Sequence, residues 1–394
     1  MTSWFVPGRI EVFGKHTDYA GGHSLLAAVD RGVTVTVASD DVFRATSDAF
    51  PDETIELVPG QPLQAGPGRW GHYLQVVLDR LTLNFGPLKP VRFEISSTLP
   101  AASGMSSSSA LVCAAVLALV DHAGLLESPR WTDYIHDELE LASYCSCVEN
   151  GYDYPGLPGS AGVGTLAGAQ DQTAMIACRE GEITEFSYIP SRRYGSCALP
   201  DGWCFVVGVS GVRAEKSGAV KERYNYLSSS TKELLERWND ATGRDDVILN
   251  DILGVEDGVA GLREIVADDE ALTRRLEAFV EEVTRCIPQA FKALEAGDVD
   301  AFGEAALRSH RNADERLGNQ IPETNRLVEL ARELGAPAAS AFGAGFGGST
   351  WALARKDDAE QFAARWGERY RAEFPDTDPE FIITQPSAPA HKLS

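Results

Sequence analysis

Basic residues are scarce in this 394-residue chain. Lysine and arginine total 35 against 58 aspartates and glutamates, a formal charge of −23. A field of that sign disfavours nucleic acid and anionic membrane surfaces, so an anionic ligand needs a locally positive pocket. Long apolar runs are missing too. The longest, Ala110 to Val120, falls far short of the ~20 residues a bilayer requires. No charged, apolar, small-residue leader opens the chain. The seven cysteines are an odd number with no CxxC pair, and Cys145 and Cys147 stand too close for an ordinary bridge. Reduced thiols and a cytoplasmic setting are the expectation. His72, His122 and His136 fall at no metal-ligand spacing and read as surface or core histidines. Repeats are absent, and the one low-complexity tract is a run of four serines.

What remains is an ordinary globular composition, 44% hydrophobic and 24% charged, with length enough for two domains at roughly 100–200 residues each. Residues 1–100 carry β-branched runs such as Val33–Val37 and Val91–Ile95, punctuated by Gly and Pro, and one amphipathic helix around His72–Leu83. Beyond a buried-type strand, Trp203–Val209, the pattern turns helical. The predicted helices are Ser217–Trp238, Ala271–Ala296 with a break at Pro288, Val299–Asn312 and Glu323–Leu334. This change of pattern predicts two domains, 1–200 and 201–394.

Three stretches carry the chemistry. The first, Pro7 to Gly22, packs Arg9, Lys15, His16 and Asp18 between glycines and reads as strand, polar turn, strand. A charged surface hairpin explains it equally well by itself. The second runs from Pro100 through Gly104 to Ser106-Ser107-Ser108-Ser109 and opens onto an alanine-rich helix. Serine oxygens cap helix starts, and the same free N–H groups bind phosphate. Four serines exceed what one cap needs, so some are free for phosphate oxygens or a metal ion. The third, Ala339 to Thr350, has four glycines in six residues, which is weak by itself. Between them, Glu149 ends a helical pattern over 137–150, where the helix dipole disfavours a carboxylate; a metal ion would offset that, and a surface glutamate is the plainer reading. Asp171 sits in Gln-Asp-Gln before a predicted apolar strand, Met175–Cys178, and serves either as a turn cap or in chemistry. The tryptophans read as packing residues, with Trp351 a candidate neighbour of a nucleotide. Arg244-Asp245-Asp246 reads as a solvated face.

Taken together, the stretches PGRIEVFGKHTDYAGG, PAASGMSSSSA and AFGAGFGGST resemble the GHMP kinases, and within them the galactokinases. Ser309-His310-Arg311 and Ile321-Pro322-Glu323 resemble family segments in the same order. The resemblance implies a two-domain α+β fold: a β-rich N-terminal domain of the ribosomal protein S5 domain 2-like type and a helix-rich α+β C-terminal domain, with the active site in the cleft between them. It implies ATP with Mg2+, and a small sugar as acceptor. By match of position, Asp171 is the catalytic base with Arg9 beside it. Gly104 and Ser106 to Ser109 form the ATP-binding loop, Ser108 and Glu149 ligate magnesium, and Lys15, His16, Asp18 and Tyr224 attend the sugar. The chemistry is consistent. Phosphoryl transfer needs positioning and charge neutralisation, and a carboxylate within reach accepts the sugar proton. Opposite charge from Arg9 favours the carboxylate form of that base.

Two departures fall on substrate choice. Lys15 stands where galactokinases carry glutamate, and only six residues precede Pro7. The readings left open are galactose or a near relative, an acidic sugar met by Lys15, a pentose or other modified sugar, and a non-catalytic sugar and ATP sensor. Oligomeric state stays open.

Overall fold

The computed structural model describes residues 1–61, 69–100, 104–212 and 218–394. Residues 101–103 of the serine-rich stretch, Arg213 and the expected helix start at Ser217 lie outside it.

The chain begins with two long strands, β1 (Thr2–Phe13) and β2 (His23–Ser39), joined by the first motif. They pair antiparallel, Arg9 facing Ala28 and Phe13 facing Leu25, with register shifts at Pro7/Arg9 and Glu11/Phe13. Such bulges re-aim side chains next to functional sites. β3 (Arg44–Ser47), β4 (Phe50–Glu56), β5 (Val91–Ser97), β6 (Glu182–Ser187) and β7 (Arg192–Ala198) complete the face. β2 gives its C-terminal half to β5 and its N-terminal end to β6. β8 (Trp203–Val209), β9 (Ala339–Phe342), β10 (Ser349–Arg355) and β11 (Glu380–Thr384) form a second sheet in the order β11-β8-β10-β9. The last strand, β12 (His391–Leu393), returns to pair with β1, so the first sheet has eight strands.

Helices cover both sheets. α1 (Trp70–Phe85) has the expected amphipathic face, burying Leu74, Val77, Leu78, Leu81 and Phe85. α2 (Ser107–His122) is buried on every side from Ser109 to Val120, between β1, β2 and α1. Its small Ala, Cys and Val side chains allow that close approach, which is why the sequence shows no polar stripe there. α3 (Pro129–Thr132) and α4 (Glu138–Asn150) follow. α5 (Gln170–Ala177) replaces the strand expected at Met175–Cys178. A short apolar run has the same signature in either form; here the run packs Ala174 and Ala177 beneath β2 and β6 with Phe186 and Tyr188.

The second half is helical as expected: α6 (Gly218–Thr242), α7 (Gly258–Ile265), α8 (Glu270–Glu281), α9 (Ile287–Ala296), α10 (Val299–Asn312), α11 (Pro322–Glu333) and α12 (Ala359–Glu373). The break foreseen at Pro288 is a π-helical turn over Glu282–Cys286, joining α8 to α9 just before the proline. Trp351 lies in the core, against Phe13, Phe205 and Phe302, which rules out the nucleotide contact considered for it. All seven cysteines are free thiols. Among the described residues, no helix is long and apolar enough to cross a membrane.

Candidate active site

The site is assembled on the bulged end of β1. Arg9 is almost fully buried. Its Nε and Nη2 each lie 2.7 Å from Asp171 Oδ1, and its Nη1 donates to the Gly104 carbonyl at 2.5 Å. The Arg9 backbone N–H also reaches the Met105 carbonyl at 3.3 Å. One guanidinium therefore fixes Asp171 and the serine-rich loop together, a planar fork suited to the task. Asp171 keeps 23% of its side chain exposed, so the pair opens to solvent on one side.

Ser106 does not cap α2. It takes a left-handed backbone, φ 61°, and its hydroxyl donates to Asp171 Oδ2 while meeting Ser109 Oγ at 3.2 Å. The strained conformation, rare for a residue with a Cβ, is held by those contacts. With no side-chain cap, the first N–H groups of α2 stay available to an anion. Ser107 and Ser108 are half-buried in that first turn, and Ser108 is within hydrogen-bonding reach of Tyr73. Burial, with Glu149 nearby, raises the Tyr73 phenol.

Glu149 is buried at the last turn of α4 and accepts from Gln172 Nε2 at 2.7 Å. The loop after it, 151–162, leaves and returns at one point, because Val163 N–H donates to the Glu149 carbonyl at 2.8 Å. That closure helps keep Glu149 in place. On the other flank of Asp171, Gln170 donates its side-chain amide to Glu11 at 2.6 Å, accepts from Ser24 at 3.1 Å, and its backbone N–H reaches Asp18 at 3.3 Å. The first turn of α5 thus carries Asp171 and, through the two glutamines, ties down Glu149, Glu11 and Asp18. Burial, reinforced by Asp171, pushes Asp18 up to about 6. Burial likewise raises Glu11 to about 7, opposed by Lys15 and Arg9.

His16 bridges two motifs. Its Nε2 lies 3.0 Å from the Ala344 carbonyl, which can only accept, so Nε2 carries the proton. Its Nδ1 meets the Tyr19 hydroxyl at 2.8 Å. Arg275 in turn donates to the His16 carbonyl at 2.6 Å and reaches the Tyr19 hydroxyl at 3.4 Å. The Tyr224 ring lies tilted beside His16, 5.5 Å between ring centroids, and Asn225 accepts from the Leu166 N–H at 3.3 Å. The third motif closes over the second. A Cβ on Gly343 would stand 3.1 Å from the Gly104 carbonyl, and Gly343 has φ 80°, so glycine suits both the space and the backbone.

Lys15 turns elsewhere. It is buried, and its ammonium donates to Ser309 Oγ at 2.9 Å, on α10. Arg9, His16, Asp18, Gly104, Ser106, Asp171 and Tyr224 thus meet around one locus, with Glu149 joined to it through Gln172. Sequence reasoning missed Glu11, Gln170, Gln172, Arg275 and Glu282. The two glutamines were visible as the flanks of Asp171. Arg275 and Glu282 lie in helices whose charged residues look like a solvated face.

Comparison with known proteins follows the same lines. Residues 72–165 match the GHMP kinases N terminal domain, residues 290–372 the GHMP kinases C terminal domain, and residues 2–39 the galactokinase galactose-binding signature. The galactokinase of Thermococcus kodakarensis is 28% identical over 403 residues, covering 97% of each chain. That of Chloroflexus aggregans is 29% identical, covering 91% of this chain and 85% of its own. The crystal structure of Lactococcus lactis galactokinase complexed with galactose matches with a TM-score of 0.81 at 24% identity, over 100% of this chain and 95% of that one. Methanococcus jannaschii mevalonate kinase matches at 0.59 and 15% identity, over 98% of both chains. These structural likenesses establish the fold.

Proposed function

This chain belongs to the GHMP kinases as a galactokinase-like, ATP-dependent sugar kinase, and on that premise we propose that it phosphorylates the anomeric hydroxyl of galactose or a close neutral relative. The observation that carries the reading is the joint hold of Arg9 on Asp171 and on the loop that opens α2. It brings a proton acceptor to the place where a helix N-terminus can receive phosphate. We place the division between the two halves near residue 200, where the chain leaves the first sheet for the second.

In this reading Asp171 accepts the proton of the sugar hydroxyl as its oxygen bonds to the γ-phosphorus and the bond to ADP breaks. Arg9 holds the carboxylate and counters charge developing on the transferring group. Gly104 and Ser106 to Ser109 line the phosphates. Asp18, His16 and Tyr224 stand at the sugar end. His16 already has protein partners at both ring nitrogens, so its part is to fix the loop around the sugar. Ser108 and Glu149 are the groups assigned to magnesium. Their hydroxyl and carboxylate are hard oxygen donors of the kind that ion takes, and Gln172 presets the carboxylate. The ion would supply charge neutralisation across the phosphates.

The engagement of Lys15 by Ser309 weighs against an acidic sugar, since that ammonium already has an internal partner. ADP release measured with galactose, glucose, arabinose, galacturonate, glucuronate and amino sugars tests the proposal. Galactose or a neutral relative is expected to give the highest kcat/KM. A uronate in first place would reverse the substrate assignment, and no release with any sugar would favour a sensor.

A further inference from the structure

We propose that Lys15, Ser309 and Glu282 form a buried latch that positions the sugar-signature loop from the helices of the C-terminal half, so that Lys15 acts through the loop and makes no sugar contact. The inference rests on the sugar-kinase reading above. Its geometry is a short relay. Lys15 Nζ donates to Ser309 Oγ at 2.9 Å, and Ser309 Oγ donates to Glu282 Oε1 at 2.7 Å. The same Oε1 accepts the Gly14 backbone N–H at 2.9 Å. Lys15 is 2% exposed, Glu282 1% and Ser309 0%. An ammonium and a carboxylate are thus buried together, about one hydroxyl apart, and both grip the loop: one through its side chain, the other through the neighbouring amide.

Buried charges persist only when paired and hydrogen-bonded. Glu282 lies in the π-helical turn between α8 and α9, the kind of local distortion that recurs at functional sites. Asn312 approaches its other oxygen at 3.5 Å. Gly14, at φ 102°, lies against Ser24, where a Cβ would come within 2.5 Å of Ser24 Oγ, so the backbone there has no room for a side chain. Two residues on, His16 takes a left-handed backbone, φ 56°, with its carbonyl held by Arg275. Glu282 and Arg275 therefore fix the loop on either side of Lys15, and the loop presents His16 and Asp18. Position 15 is withdrawn from the substrate by its internal counter-ion.

A double-variant cycle decides the point. Lys15→Met leaves Glu282 without its counter-ion and also removes a charge that opposes the rise at Glu11, while Glu282→Gln leaves Lys15 without the carboxylate of its relay. Each single variant is expected to raise KM for the sugar about tenfold and lower Tm, with KM for ATP within about twofold of the parent. The combined variant removes both charges and is expected to recover, with KM for the sugar within about threefold of the parent and Tm above either single variant. Multiplying losses in the double variant would overturn the latch. A fall in Tm with sugar KM unmoved would reduce it to a brace and overturn the positioning role. Ser309→Ala breaks the relay without changing charge and covers the case in which a single charge variant does not fold. A several-fold rise in sugar KM is expected, and an unchanged KM would count against the proposal. If the parent phosphorylates no sugar, the functional reading fails, while the Tm cycle still decides the latch.

Discussion

Two dense charge clusters can be set side by side. Around Asp171, Arg9, Glu11, Asp18 and Glu149 are buried, and each hydrogen-bonds to the first turn of α5, Arg9 also to the Gly104 carbonyl. On the outer face, Arg326 of α11 meets Glu329 at 2.9 Å, Glu333 at 2.7 Å and Glu373 of α12 at 2.6 Å, with Arg369 also on Glu333. The second cluster has more ion pairs, yet its glutamates are 39–62% exposed. Exposed pairs gain little because water solvates the separated ions nearly as well. Inside, the lost solvation must be replaced bond by bond, so each partner dictates where the next can stand. Charge density alone does not identify a site; burial and shared partners do.

The largest expected effect is at Asp171, the base we propose. Asp171→Asn keeps the shape but cannot accept the proton, and kcat is expected to fall on the order of a thousandfold, with MgATP binding largely kept; steady-state kinetics and calorimetry check both. Gln172→Ala frees Glu149 from its amide partner. The magnesium concentration for half-maximal rate is expected to rise about tenfold, with little loss at saturating metal, read from titrations in each variant.

Glu11→Gln sharpens the contrast through pH. The Glu11 carboxyl, moved from its ordinary 4.5 to about 7 by burial, binds its proton more tightly folded than unfolded. The stability this contributes is complete below about pH 4.5 and lost as pH rises through about 7. Asp18, raised to about 6, acts in the same sense. Parent Tm is therefore expected to decline between pH 5 and pH 8 and the variant's to decline distinctly less, measured by thermal melts at both pH values; equal slopes would remove Glu11 from the account. The smallest effect is on the outer cluster. Arg326→Ala is expected to shift Tm by no more than about 2 °C and to leave kcat/KM unaltered.

Much of the fold was legible. The alternation of β5 and of the C-terminal half of β2, the amphipathic period of α1, and the spans of α10 and α11 follow from side-chain spacing within a dozen residues. The three motifs marked themselves because glycine and serine clusters beside apolar runs have few other uses. Illegible features depend on distant partners. The run at 175–177 is helical because of what β2 and β6 place above it. Ser106 reads as a cap, and only the arrival of Asp171, 65 residues away, turns its hydroxyl aside.

Pro7 to Gly22 shows the division most clearly. Local chemistry determines a strand, a glycine-bounded polar turn and a second strand, and its residue order declares the family. Which way Lys15 points was beyond the sequence. A lysine stem reaches in many directions, and the choice was made by Ser309, 294 residues away, and by Glu282 beside it, where a buried carboxylate required a counter-charge. Sequence supplied the reactive groups of this protein; tertiary packing decided which of them face one another.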